Sequence, residues 1–153
     1  MKSGTMLLAL AGLLAAVCFA ADVSIGTWKL NDSKSKNVPP AEKNITMVIA
    51  AAGDSVKVSI DGTDDKGKPT HEEWTGKFDS KDYPLTGDPD TDTLAYKRIN
   101  DHTLELTEKK GGKIVETGRV VYSADGKTRT VTETATNANG KKTVSPLFTT
   151  NSS

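Results

Sequence analysis

Two histidines are the side chains of this 153-residue chain that could most readily bind a transition metal. Glu72 and Glu73 follow His71, and Asp101 precedes His102. A zinc or iron site would need both imidazoles to converge, with a carboxylate as a third ligand. The separation of 31 residues imposes no such convergence, so we interpret both histidines as surface residues and predict no metal site.

Catalytic motifs are equally sparse. No Gly-x-Ser-x-Gly turn surrounds a serine, so hydrolase chemistry has no support. Neighbouring carboxylates could serve glycoside hydrolysis or calcium binding at Asp64 with Asp65, Glu72 with Glu73, and Asp88 with Asp90. The first pair lacks the EF-hand spacing and is typical of a turn, and the segment 88–92 is the better calcium candidate. We predict no enzyme, no catalytic residue and no cofactor.

Three arginines are the candidate ligand-binding residues. Arg119 and Arg129 lie in two late alternating segments, and Arg98 lies between Tyr96 and Ile99. If the faces that carry Arg119 and Arg129 point inward, the two guanidinium groups form a positive floor that could hold a carboxylate. The alternative is that both point to water and pair with nearby glutamates, since buried charges are rare unless paired.

These side chains must be positioned by strands, because short alternating runs separated by turn residues fill the chain. Val56, Val58 and Ile60 alternate with polar residues, as do Leu104 and Leu106. Turn signals such as Gly-Gly, Asp-Gly and Asn-Gly separate the runs and favour hairpins. We predict strands near 24–30, 44–50, 54–61, 69–78, 92–99, 102–109, 113–122, 128–136 and 141–149, with loops at 31–43 and 79–91.

An antiparallel up-and-down meander of about nine strands avoids exposed edges by closing into a barrel. The start of the first strand, Gly26-Thr27-Trp28, resembles the Gly-x-Trp signature of lipocalins, and residues 28–36 resemble small bacterial exported domains described as lipocalin-like. The resemblance implies an all-β, calycin-type barrel in which Gly26 and Trp28 close one end. It also implies an arginine beneath the tryptophan, which could be Arg119 or Arg129. The chain departs from lipocalins in having no Thr-Asp-Tyr motif, no disulfide and no predicted C-terminal helix.

The first 20 residues have the order of a secretory signal peptide. Lys2 precedes an apolar run, Met6–Ala20, whose 15 positions are short for a membrane span, and small residues follow. We predict cleavage after Ala20, a single domain over 21–153, and a secreted or periplasmic location. A short membrane anchor and a lipid anchor through Cys18 are the alternatives.

The predicted mature chain must fold on a thin apolar core. Cleavage removes Cys18, the only cysteine, and leaves about 39 hydrophobic residues among 133. Its charge is close to neutral, and no basic stripe indicates a nucleic-acid partner. We expect a monomer without a transmembrane segment that binds a small apolar, amphipathic or carboxylate ligand without transforming it. The alternative is a solid-cored β domain that acts through its surface, as an adhesion, inhibitor or interaction module.

Overall fold

The strands follow from the alternating pattern, because apolar side chains at every second position face one side of a pleated backbone. The computed structural model describes residues 22–38, 43–137 and 139–152. The predicted signal peptide, Met1–Ala20 with Cys18, lies outside the described residues. The strands are β1 Gly26–Leu30, β2 Lys43–Ala52, β3 Ser55–Thr63, β4 Pro69–Gly76, β5 Tyr83–Thr86, β6 Thr93–Asn100, β7 Thr103–Lys110, β8 Lys113–Tyr122, β9 Thr128–Thr136 and β10 Lys142–Asn151.

All ten strands form one closed antiparallel barrel in which each strand pairs with its sequence neighbours. The first strand closes the ring, because Trp28 lies opposite Met47 of β2 on one side and opposite Asn151 of β10 on the other. Each described strand therefore has a neighbour on both sides, and none of them is an edge strand. The prediction of an all-β antiparallel meander closed into a barrel is confirmed.

The strand that the prediction lacked is β5, which lies inside the segment 79–91 that we expected to be a loop. Proline has no N–H for a sheet ladder, so Pro84 and Pro89 favoured a loop. The structure forms a four-residue strand there that pairs with β4 at Trp74–Leu85 and with β6 at Pro84–Thr93. The short strand completes the wall between β4 and β6.

Aromatic side chains fill one part of the barrel interior. Trp74 stacks on Phe78 at 6.4 Å between ring centroids and meets Tyr83 and Tyr96 edge to face. Its indole Nε1 donates a hydrogen bond of 2.9 Å to the carbonyl oxygen of Leu94. Such pairs add about 0.5–1.5 kcal/mol each beyond burial of their area.

Within the described residues, no helix is long and apolar enough to cross a membrane.

Candidate ligand-binding cavity

The interior of the barrel contains a cavity of about 90 Å³. Much of its lining is apolar, and two polar parts, a buried arginine and a group of carboxyl groups, lie on either side of the apolar Val131 along β9. The apolar lining comes from inward positions of eight strands, namely Leu30, Ile45, Met47, Ile60, Leu85, Leu94, Leu106, Val131 and Leu147. The cavity is therefore amphipathic in lining and small in volume.

Arg129 is the buried cation of the cavity. It lies on β9 two residues before the buried Val131, so strand alternation turns both side chains inward. Arg129 is 5% exposed, and its Nε has no hydrogen-bond partner. Burial disfavours its charge, but Tyr122, which accepts a hydrogen bond from the guanidinium, and Tyr96 raise the pKa of Arg129 above its usual value. The guanidinium is thus charged, and its Nε–H has no acceptor.

Five carboxyl groups form what we call the acidic cluster of the cavity. They come from four strands and the loop after β5, and they are Glu72, Asp88, Glu108, Glu116 and Glu133. Each of these residues is partly exposed, so this part of the cavity reaches solvent. The cluster was not predicted from the sequence, although its strand members stand two positions from inward residues such as Trp74, Leu106 and Val131. Continuing the alternation past each apolar run would have found them.

Three carboxyl groups of the acidic cluster, those of Glu72, Glu108 and Glu116, have raised pKa values. Burial, followed by repulsion from Asp88, raises the pKa of Glu72 to about 7. Burial and the neighbouring Glu116 raise the pKa of Glu108 to about 7, and Thr91 donates a hydrogen bond of 3.0 Å to Glu108 Oε2.

Glu116 interacts with two other members of the cluster, Glu108 and Glu133. It lies directly across from Glu108 in the β7–β8 ladder, and like charges opposite each other are unfavourable. Burial raises the pKa of Glu116, and a hydrogen bond with Glu133 partly offsets that rise. A hydrogen bond between two carboxyl groups requires a proton on one of them. The cluster is therefore partly protonated near neutral pH.

Only one of the three candidate arginines lines the cavity. Arg119 lies on the outer surface, where its Nη2 is 2.9 Å from Glu105 Oε1. Arg98 forms an ion pair with Asp22 and lies over the ring of Phe78, with its Cζ 4.9 Å from the centroid. The two-arginine floor is not formed, because Tyr122 is the cross-strand partner of Arg129, whereas Arg119 is opposite the outward-facing Thr132.

Trp28 lies near the arginine part of the cavity. The side chain is fully buried, donates from Nε1 to the carbonyl oxygen of Ser24 at 2.9 Å, and meets Tyr122 edge to face at 5.3 Å. Because Tyr122 also bonds to Arg129, these contacts link Trp28 to the buried guanidinium. Gly26 begins β1 with a φ of +148°, a conformation that side-chain-bearing residues rarely adopt.

The structure does not bring the two histidines together. His71 lies on β4, with Nδ1 2.7 Å from Asp61, whereas His102 lies in the hairpin between β6 and β7 at the opposite end of the barrel. In the calcium candidate segment, Asp88 lines the cavity, while Asp92 accepts a hydrogen bond of 2.8 Å from Lys110. Among the described residues, no group of three or more His, Cys, Asp or Glu side chains could hold a metal ion.

Fold and site together define a closed ten-stranded antiparallel β-barrel with a small cavity that is acidic in one part and holds a buried arginine in another. No protein-family model matches the chain, and the search of curated proteins finds no match. Among solved structures, the chain is similar to lobster apocrustacyanin A1, with a TM-score of 0.47 and 12% sequence identity. The similarity covers 87% of this chain and 63% of the lobster chain.

Proposed function

We propose that the protein binds a small amphipathic molecule inside its barrel without transforming it. The observation that carries this proposal is the buried, charged Arg129, which lines the cavity and whose Nε has no hydrogen-bond partner. A buried donor without a partner costs about 1–3 kcal/mol. A ligand that places a carboxylate, carbonyl or hydroxyl oxygen against Arg129 removes that cost, and its carbon chain then lies along the apolar lining of the cavity.

The cavity limits the size of the ligand. Its volume of about 90 Å³ equals the space of roughly three water molecules at ~30 Å³ each. Pockets for drug-sized ligands measure about 300–1,000 Å³. The ligand is therefore a short-chain molecule, or a longer one of which only one end enters the barrel.

We place this function outside the cytoplasm, in the periplasm or the medium. The support is the apolar run Met6–Ala20 behind Lys2, which has the order of a signal peptide. The closed barrel and the Gly26-Thr27-Trp28 start support a lipocalin-like relationship as part of the same proposal.

The test is a titration of residues 21–153 with butanoate and with n-butanol at about pH 5.5, followed by backbone amide NMR shifts. We expect saturable shifts at cavity-lining residues for both compounds. Arg129→Met should weaken butanoate binding at least tenfold, which is about 1.4 kcal/mol.

Two further variants keep the test decisive. Arg119→Met removes an arginine on the outer surface and should leave butanoate binding unchanged. Arg129→Lys keeps a charge at the site if the methionine variant does not fold, and it should also weaken binding because lysine has no Nε donor in that place. Absence of saturable shifts, or equal losses in the Arg119 and Arg129 methionine variants, would refute the proposal.

A second candidate function uses the outer surface. A groove of about 810 Å³ runs over the outer face of β7, β8 and β9 beside the Arg119–Glu105 pair, and its threonines are Thr107, Thr117, Thr130, Thr132 and Thr134. A surface-interaction module would use such a face. This candidate replaces the first if no small molecule binds the interior and a surface variant such as Thr132→Arg abolishes binding to a macromolecular partner.

A further inference from the structure

We propose that the cavity selects ligands that carry an ammonium group, which binds at the acidic cluster while an oxygen acceptor of the same ligand binds Arg129. This inference rests on the proposed function and names its ligand class. The molecule is a short organic cation or zwitterion with a hydrocarbon segment between its polar ends.

The first argument is the composition of the cavity lining. Among the described residues that line it, five are acidic and Arg129 is the one basic residue. A cavity with this excess of carboxyl groups attracts cations, because Coulomb energies grow as water is displaced from around the charges. An anionic ligand without an amine would bring a further negative charge next to the cluster.

The second argument is that the acidic cluster is built into the barrel wall. Its glutamates come from inward positions of β4, β7, β8 and β9, and Asp88 comes from the loop after β5. Glu108 and Glu116 are direct cross-strand partners, so their carboxylates repel each other when both are ionised. An ammonium group between them would turn a repulsive pair into a favourable one.

The third argument is independent of the carboxyl groups. Arg129 is 5% exposed, lines the same cavity and leaves its Nε unpartnered. A ligand confined to the acidic cluster would leave this donor without a partner. Only a molecule with a cationic group and an acceptor oxygen satisfies both parts of the cavity.

Binding of an ammonium group must also release protons from the cluster. Burial raises the pKa values of Glu72 and Glu108 to about 7. Asp88 raises the pKa of both groups and Glu116 raises that of Glu108, whereas His71 lowers the pKa of Glu72 and Thr91 lowers that of Glu108. A bound cation favours the ionised carboxylates and so lowers these pKa values. Affinity for an amine should therefore rise between about pH 5 and pH 8, where the amine itself stays protonated.

The experiment compares four probes of similar size, namely n-butylamine, 4-aminobutanoate, butanoate and n-butanol, by NMR titration of residues 21–153 at about pH 7.5. We expect butylamine and 4-aminobutanoate to bind at least tenfold more tightly than butanoate. Calorimetry of butylamine binding in phosphate and in Tris buffer should show net proton release as a difference in the observed heats.

Matched variants locate the effect. Glu72→Gln combined with Glu108→Gln should weaken butylamine binding at least tenfold and leave n-butanol binding unchanged. Glu105→Gln, on the outward face of the same β7 strand, is the control and should leave all four affinities unchanged.

The outcomes distinguish failure of the inference alone from failure of the proposed function. If n-butanol binds but butylamine binds no more tightly than butanoate, the ammonium site is refuted and the interior binding function stands. If calcium chloride displaces butylamine at equal concentration, the cluster is a metal site and the inference is also refuted. If none of the four probes binds, the proposed function fails together with the inference.

Discussion

At the scale of residues, the arginine part of the cavity depends on a short series of contacts that begins at Trp28. The indole is fully buried, bonds to Ser24 and packs on Tyr122, which in turn accepts a hydrogen bond from Arg129. Asp22 holds Ser24 in place, because its Oδ1 accepts a hydrogen bond of 3.0 Å from the backbone N–H of Ser24 and one of 2.7 Å from its hydroxyl. Truncation of the indole would thus remove both core volume and support for the guanidinium.

We predict that Trp28→Ala lowers the free energy of unfolding by about 3–5 kcal/mol, the usual cost of removing a buried aromatic side chain. Urea denaturation followed by circular dichroism measures the change. Ile114→Ala is the control, because Ile114 is 59% exposed and its truncation should cost less than about 0.5 kcal/mol. Equal losses in the two variants would contradict a central packing role for Trp28.

At the scale of elements, β5 and the loop after it hold Asp88 at the cavity. The strand has few ladder pairs, and Leu85 N adds a hydrogen bond of 3.0 Å to the carbonyl oxygen of Asp92. Gly87 has a φ of +93°, and a Cβ there would overlap the carbonyl oxygen of His71 and lie 3.0 Å from the Cα of Glu72. The close approach of β4 to this loop therefore requires a glycine.

We predict that Gly87→Ala destabilises the barrel by at least about 2 kcal/mol, because backbone atoms of β4 must move and the alanine adopts a strained conformation. Gly112→Ala also has a positive φ, of +77°, but open space around its Cβ, so it should cost only about 1 kcal/mol. Thermal unfolding of both variants provides the comparison. A Gly112 variant as unstable as the Gly87 variant would show that φ alone, and not the approach of β4, explains the requirement.

At the scale of the whole molecule, the acidic cluster makes stability depend on pH. Glu72 and Glu108 have folded-state pKa values of about 7, above the value near 4.5 of an unfolded glutamate. Between these values the folded state binds more protons than the unfolded state, so stability falls as pH rises from about 4.5 to 7. The raised pKa of His71, hydrogen-bonded to Asp61, acts in the same direction as pH rises above about 6.5.

We therefore predict a higher urea midpoint at pH 5 than at pH 8 for the unliganded protein. Glu108→Gln keeps an acceptor for Thr91 and removes the ionisable group, so it should stabilise the barrel at pH 8 by about 1–2 kcal/mol. The same substitution should change stability by less than about 0.5 kcal/mol at pH 5, where Glu108 is protonated in the folded state. A stability curve that rises from pH 5 to pH 8 in the native chain would refute this assignment.

The amino-acid sequence by itself determined the closed barrel. Alternation at positions such as Val56, Val58 and Ile60 is a local property, and turn residues between the runs make consecutive strands neighbours. It also placed Gly26 and Trp28 in the first strand. The short β5 escaped prediction because two prolines mask a strand whose pairing depends on β4 and β6.

Only the tertiary structure decided which side chains enter the cavity. Alternation shows that a strand has two faces, but which face turns inward depends on register, and register depends on distant partners. Arg129 faces inward because it pairs with the buried Tyr122, and Arg119 faces outward with Thr132. The acidic cluster likewise arises from four strands and a loop that are far apart in the chain and meet only when the barrel closes.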